Sequence, residues 1–577
     1  MGSGALYSTP MKPFKQIFSS ALTPQTAFWL GLSVLALPNV CLAYTEPLPL
    51  VSRLVGITLP LSVYAALLTL WRKPGRTLWW LFPLVFLSAF QMVLLYLYGH
   101  SVIAVDMFLN LVTTNPNEAG ELLNNLLPGM VFVIVLYVPT LLLSAISGFR
   151  GGCLSANFTH KVRRSAGILA IAGLCLAGFA LANGFRPSLH LYPLNVFENI
   201  RLAIVRTQRT AHYQQTAAQF KFHATPTHPN SEREIYVLVI GETARAPQFR
   251  LYGYPRNTTP LLSALPSLYA FDHALSQSNT THKSVPMLLS PVSAINYDSI
   301  YTRKSLLTAF REAGFHTVYL SNQLPNHSFI DFFGQQANQW RFIKEGKPDT
   351  YDGYDQRLLP LVDSVLACKR QKQLIVLHTY GSHFEYRKRY PHNEGAFFPD
   401  ENSDAKPQNH VELVNAYDNT ILQTDRLLAA LISRISSTGA SAALLYTSDH
   451  GENIFDDDRR LFLHASPVPS YYELHVPLLV WLSPRYAQLQ PAVVTALRTN
   501  LHQPVSTSVS VFHTFAHLAG LRSPWVNVQS SVASPTYQPQ PWLYLDDHNR
   551  AVPLLQMLRS PLDTNILRQK GFLNNKH

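Results

Sequence analysis

Apolar residues crowd the first third of the chain and thin out after it. Five runs lie near 26–43, 50–71, 78–98, 125–147 and 166–184, each close to the roughly 20 residues a helix needs to cross a bilayer. The first lacks a small-residue cleavage site and four more follow it, so it reads as a retained span rather than a signal peptide. From residue 234 the pattern changes. Short β-branched runs, EIYVLVI, HTVYLS, QLIVLHT, AALLYTS and VPLLVWL, alternate with longer helical segments, which predicts a mostly parallel sheet covered on both faces. In such folds ligands sit at the carboxyl ends of the strands. The polar clusters of this sequence fall at those ends.

Between the two parts, Leu189 to Val205 is apolar and the stretch through Gln208, Arg209 and Gln214 is polar, ending in the run THPNSER. The expected organisation is a transmembrane domain over 1–190, connecting helices and a linker over 191–233, and a catalytic α/β domain over 234–577. The last fifteen or so residues, ending LNNKH, are expected to fray.

Charge adds an orientation. Lys12 and Lys15 precede the first run, Arg72, Lys73 and Arg76 follow the second, and Arg150, Lys161, Arg163 and Arg164 separate the fourth from the fifth. The alternate loops carry Glu46, Asp106, Glu118 and Glu121, with Arg53 the exception. Positive residues stay inside, so the N-terminus is expected in the cytoplasm and everything after about residue 185 outside. Asp106 and Glu121 read as solvated charges. The 577 residues exceed one ordinary core, and 47% hydrophobic with 14% charged residues fits an apolar part joined to a polar one. The net charge of +12 does not indicate nucleic acid: part of it is topogenic, and no basic run with interleaved aromatics is present. An anionic membrane surface is the better partner. Cys41, Cys153 and Cys175 belong to the membrane part and Cys368 stands alone beyond it, so no disulfide is possible within the exported domain.

Candidate chemistry gathers at strand ends. The first strand runs into Gly241-Glu242-Thr243-Ala244-Arg245 and the fourth into Ser448-Asp449-His450-Gly451-Glu452. A lone carboxylate there would read as a helix cap. Two carboxylates and an imidazole from separate strands suit zinc or manganese, with a position left open. That position calls for a nucleophile, whose hydroxyl a metal would activate. The segment Ser278-Asn279-Thr280-Thr281-His282-Lys283-Ser284 offers four hydroxyls, and composition does not choose among them; turn and cap roles account for most.

GETAR followed by LYGYPRNTTP, the Thr281 segment with SVP, GSH with RYP, SDHGE, and LHASP with HVPLLVWLS resemble, in order, the phosphoethanolamine transferases. These are members of the alkaline phosphatase and sulfatase superfamily and include the lipid A modifying and colistin-resistance enzymes. The resemblance implies a five-helix transmembrane domain with an alkaline-phosphatase/sulfatase-like periplasmic domain, in a monomer of the Gram-negative inner membrane. It implies Glu242, Thr281, Asp449 and His450 as a zinc site, a second zinc being possible. Thr281, five residues before Pro286, would be the nucleophile, taking phosphoethanolamine from phosphatidylethanolamine and passing it to lipopolysaccharide core or lipid A. His383 and His464 match residues that contact the phosphate or a second zinc, and either could protonate the leaving group. Asn110, Thr114 and Glu118 match residues facing the donor head group, although Asn115, Pro116 and Glu118 also make a helix cap, first-turn proline and capping-box glutamate. Missing cysteines and the run SNQLPNHSFIDFF depart from the lipid A branch and lean toward core sugars as acceptor. Competing readings are a phosphoglycerol or phosphocholine transferase, a sulfatase-like hydrolase, for which the formylglycine context is absent at Thr281, and a non-catalytic envelope sensor or scaffold, for which the retained ligands are unexpected.

Overall fold

The computed structural model describes residues 23–113, 127–229, 231–347, 352–402 and 404–573. The chain forms two compact units, residues 1–108 with 126–204 and residues 109–125 with 205–577, so 205–233 of the expected connector pack within the second unit.

The first unit carries helices α1 (Pro24–Thr45), α2 (Leu50–Leu68), α3 (Pro74–Trp80), α4 (Phe82–Tyr98), the start of α5 (Val105–Thr113), α6 (Leu127–Phe149), α7 (Ala156–Ala182) and the start of α8 (Leu194–Ala211). By length and composition α1, α2, α6 and α7 can each cross a membrane, whereas α3 and α4 reach that length only as a pair bent by 71°. The third apolar run is therefore not one straight span. Pro83 has no N–H to give the Trp79 carbonyl and its ring crowds that oxygen, and the chain breaks at Leu81 (φ −87°, ψ 12°). Helix α7 begins ten residues before its apolar run. The Ser155 hydroxyl accepts from the Phe158 N–H at 3.2 Å, so Lys161, Arg163 and Arg164 stand in its opening turns rather than in a loop. Large side chains such as Val131, Phe132, Val135, Ile168, Ile171 and Leu174 are exposed on α6 and α7, as lipid-facing surfaces are. Asp106, expected to be solvated, is buried in the first turn of α5, where the helix N-terminus favours a carboxylate. Glu121 lies outside the described residues.

The second unit is built on a seven-stranded sheet of β1 (Glu234–Gly241), β2 (Leu268–Phe271), β3 (His316–Ser321), β4 (Gln339–Phe342), β5 (Lys372–His378), β6 (Ser441–Ser448) and β7 (Leu478–Leu482). Their spatial order is β2-β7-β6-β1-β5-β3-β4. Pairs among β6, β1, β5, β3 and β4 are parallel and β7 is antiparallel to both β6 and β2, so the sheet is mostly parallel, as the apolar runs predict. Side chains alternate across a strand. Tyr236, Leu238 and Ile240 of β1 enter one core with Val511, Phe512 and Phe515 from the helix Thr507–Leu518, while Ile235, Val237 and Val239 enter another with Leu413, Tyr417, Leu427 and Leu431 of the helix His410–Ser436. Both faces are thus covered.

The C-terminal residues do not fray at 563 as expected. Pro561–Gln569 is a helix, held because Leu567 and Phe572 are buried and Asp563 accepts from the Arg459 guanidinium and the Tyr471 N–H. All four cysteines are free, and Cys368 is exposed. No disulfide therefore contributes to the stability of the second unit. Cys368→Ser is expected to change unfolding free energy by less than about 0.5 kcal/mol, and reductant should leave the thermal transition of the full chain unmoved; a lower transition under reductant would contradict this.

Candidate active site

Across β1 and β6 Gly241 pairs with Ser448, and across β1 and β5 Ile240 pairs with His378. The three strands therefore end level, and the next residues on β1 and β6 are Glu242 and Asp449. Both are buried. Glu242 caps no α-helix; it is followed by a bend and the short 3-10 turn Ala246–Gln248. Asp449 Oδ1 accepts from the N–H groups of Thr243 (3.1 Å) and His450 (2.7 Å), while its Oδ2 is buried without a hydrogen-bond partner and lies 3.3 Å from His450 Nε2. An unsatisfied buried polar atom costs on the order of 1–3 kcal/mol, more when charged. A cation would remove that cost. One ligand atom each from Glu242, Asp449 and His450 fall within 4.8 Å of one another, and this oxygen, oxygen and nitrogen donor set fits zinc.

His450 is prepared for such a role. Its Nδ1 faces the Gly451 carbonyl at 2.8 Å, an oxygen that can only accept, so Nδ1 carries the proton and Nε2 presents its lone pair. Burial pushes the imidazole down to about 4, keeping it neutral. The Thr281 hydroxyl, on the first residue of the helix Thr281–Leu288, lies 3.1 Å from His450 Nε2 and donates to Glu242 Oε1 at 3.1 Å. The other three hydroxyls of the segment turn elsewhere. Ser278 and Thr280 bond each other at 3.1 Å, and Ser284 donates to the Ser278 carbonyl; all three are buried, whereas Thr281 is partly exposed. Geometry thus distinguishes Thr281 where composition did not.

His383 and His464 adjoin this cluster. The His464 ring lies 4.2 Å from that of His450 and 6.2 Å from that of His383, centroid to centroid. His464 Nδ1 is 3.1 Å from Glu452 Oε2, and the other Glu452 oxygen accepts from the Tyr386 hydroxyl. Burial pushes Glu452 up to about 8 and His464 down to about 4, so near neutral pH both are uncharged and the carboxyl proton lies on the bond to Nδ1. His464 Nε2 is then an N–H donor. His383 differs: its Nδ1 donates to the Phe384 carbonyl at 2.6 Å, and burial with the nearby Arg389 holds its pKa well below the usual range, leaving Nε2 as an acceptor.

Residues without a role in the sequence reading complete the arrangement. Gln323 donates to the Thr379 carbonyl (2.8 Å) and to Glu242 Oε2 (3.4 Å), fixing the carboxylate; it sits in the SNQ run, the one signal for it. Asp355 accepts from the N–H groups of Tyr380 (2.8 Å) and Gly381 (2.9 Å) and so anchors the GSH loop, with no local sequence signal. Arg245 of GETAR points away from the cluster, donating to the Glu452 carbonyl and Asp456, and Arg256 of the YGYPR run binds Asn415 and Asp418. Both tie loops to the scaffold. Thr114 and Glu118 lie outside the described residues, as does the side chain of Asn110. Among the described residues His392, Asp400 and Glu401 form one further possible cation group, but the Arg387 guanidinium already lies against all three.

Residues 234–521 match the family described as Sulfatase. The phosphoethanolamine transferase EptC of Escherichia coli K12 is 29% identical over 323 residues, covering 53% of this chain and 54% of that protein; the chain thus spans about half the length of this curated relative. The crystal structure of the C-terminal periplasmic domain of E. coli EptC in complex with Zn superposes with a TM-score of 0.53 at 26% identity, covering 59% of this chain and 97% of that one. The lipooligosaccharide phosphoethanolamine transferase EptA of Neisseria meningitidis, an integral membrane protein, has a TM-score of 0.68 at 21% identity over 88% of this chain and 98% of that one. It shares the fold of the membrane part as well.

Gly381 supplies a test of the cluster. Its φ is +49°, and a Cβ there would stand 2.6 Å from the Glu242 carbonyl oxygen. Gly381→Ala is expected to displace Glu242, lower bound zinc in the purified protein and cost about 1–3 kcal/mol of stability. Gly439, with φ +67° and open space where a Cβ would stand, is the control for backbone strain alone. Equal zinc content in Gly381→Ala and Gly439→Ala would defeat the prediction.

Proposed function

We propose, starting from the match of residues 234–521 to the Sulfatase family, that the chain transfers phosphoethanolamine from phosphatidylethanolamine, through a phospho-threonine at Thr281, to lipopolysaccharide core or lipid A. The observation that carries this reading is the Thr281 hydroxyl within hydrogen-bond reach of both Glu242 and His450, beside a buried carboxylate oxygen with no partner. Similarity to phosphoethanolamine transferases supports the group transferred. The distribution of Lys and Arg supports a periplasmic position for the second unit, anchored in the inner membrane, and the chain is proposed to act as a monomer.

The proposed reaction has two displacements. Thr281 Oγ attacks the donor phosphorus, an Oγ–P bond forms, and the bond from phosphorus to the glycerol oxygen breaks. The hydroxyl proton leaves toward Glu242 Oε1, which already accepts it. Diacylglycerol departs as an alkoxide and takes a proton from His464 Nε2, which Glu452 restores through Nδ1. An acceptor oxygen then attacks the same phosphorus, loses its proton to the now basic His464, and the Thr281 oxygen leaves and is reprotonated. Glu242, Asp449 and His450, with Thr281, would hold zinc, which would supply positive charge to lower the hydroxyl's pKa and offset charge on the phosphoryl oxygens. His383, an acceptor at Nε2, is proposed to face the ethanolamine phosphate or a second zinc, and Asn110, Thr114 and Glu118 to face the donor head group. The absence of disulfides favours the core sugar over lipid A as acceptor.

Thr281→Ala is expected to remain folded and zinc-loaded while transferring nothing from phosphatidylethanolamine; modification of acceptor at the parent rate would refute the nucleophile. His464→Ala should slow release of diacylglycerol on the order of a hundredfold or more, read as the single-turnover burst with labelled lipid, and an undiminished burst would exclude it as the acid.

A further inference from the structure

The first unit contains a cavity of about 60 Å³ where α1 gives way to α2, lined also by Val102, Leu189, His190, Tyr192 and Asn195. It lies wholly within that unit and shares no residue with the site around Thr281. Two buried amides of its lining leave oxygens over. Asn195 is buried and its Nδ2 donates to the Leu189 carbonyl at 3.2 Å. Asn39, also buried, donates from Nδ2 to the carbonyls of Gly56 (3.0 Å) and Tyr192 (2.8 Å). A carbonyl can only accept, so these partners fix both amides with their oxygens, not their nitrogens, as the remaining polar atoms. Among the described residues, Asn39 Oδ1 has only a long contact of 3.4 Å from Tyr64, and Asn195 Oδ1 is buried with no partner, as is the Tyr192 hydroxyl. The Glu46 carboxylate, one oxygen of which accepts from the Ser101 N–H at 2.6 Å, also lines the cavity, with Ser52 and His190.

Acceptors concentrated in a buried space call for a ligand rich in donors, because each unmet oxygen carries its full desolvation cost. Water fits such a cavity in size, one molecule needing about 10–15 Å³, but brings two donors and no charge. A primary ammonium brings three donors and a positive charge opposite Glu46. Arg53, held by Nε to the Leu48 carbonyl at 2.7 Å, lines the same cavity and provides a cation for an anionic group attached nearby. Positive and negative partners for one zwitterion are therefore present at one end of an apolar helix bundle.

We propose that this cavity holds the ammonium of a phospholipid head group bearing a primary amine, with Arg53 against its phosphodiester. It is a lipid site of the membrane unit, independent of whether Thr281 performs the transfer. No bond forms or breaks there. The recognition separates a primary ammonium from a trimethylammonium, which has no N–H to offer.

The test uses the full chain reconstituted with equal amounts of phosphatidylethanolamine and phosphatidylcholine, the lipids retained after purification being counted by native mass spectrometry. Phosphatidylethanolamine is expected to be retained about tenfold over phosphatidylcholine, the difference one charge-assisted contact produces. Asn195→Leu combined with Glu46→Gln should abolish that preference, and Asn195→Asp, which keeps the acceptor, should preserve it. Glu242→Gln, altered at the transfer site, should retain phosphatidylethanolamine as the parent does. Equal retention of the two lipids by the parent overturns the proposal, as does loss of the preference in Glu242→Gln, which would place the bound lipid at the transfer site instead.

Discussion

Backbone hydrogen bonds among β5, β1 and β6 decide where the reactive side chains stand. Glu242 and Asp449 meet because the residues before them, Gly241 and Ser448, are paired. A slip of one residue would turn every side chain of β1 to the opposite face and bring Thr243 to the place of Glu242. Shape guards against it. Tyr236 fits among the rings of Phe310, Phe315 and Phe515, and its hydroxyl reaches Glu234. Moved to the face closed by the helix His410–Ser436, it would overpack a core filled by Val237 and Leu444.

Within that frame, burial sets the electrical state of the site. Glu242, Asp449 and Glu452 are all nearly inaccessible to solvent, and three such carboxylates cannot all remain charged without compensation. Glu452 escapes by holding a proton against His464. Glu242 gathers donors from Thr243, Thr281 and Gln323. Asp449 spends one oxygen on two backbone N–H groups and leaves the other unmet, which is why the donor set reads as a cation site rather than as a hydrogen-bond network.

Much of this was legible from residue order, and what was not has identifiable causes. Buried strands such as EIYVLVI are continuous apolar runs, so their existence and their polar ends were readable. The bend at Leu81 was hidden because the apolar run continues through it, and only Pro83 signals the break. Thr281 was not separable from its neighbours by residue type, since what distinguishes it is a contact with residues 39 and 169 positions away. Asp355 was invisible for the same reason: it acts on backbone N–H groups that any sequence would supply. The C-terminal helix escapes a reading by residue type because a polar ending masks Leu567 and Phe572, whose burial depends on tertiary partners.

The placement of Thr281 has a kinetic consequence. It is the first residue of a helix whose residues from Lys283 to Leu288 are buried, so the hydroxyl is held to one place. On the proposed transfer, whatever gives up a group to Thr281 must vacate the spot before anything else can collect it. Such a fixed station would impose turn-taking: the two substrates of the proposed transfer would compete for the same ground, and excess of either one would obstruct the other.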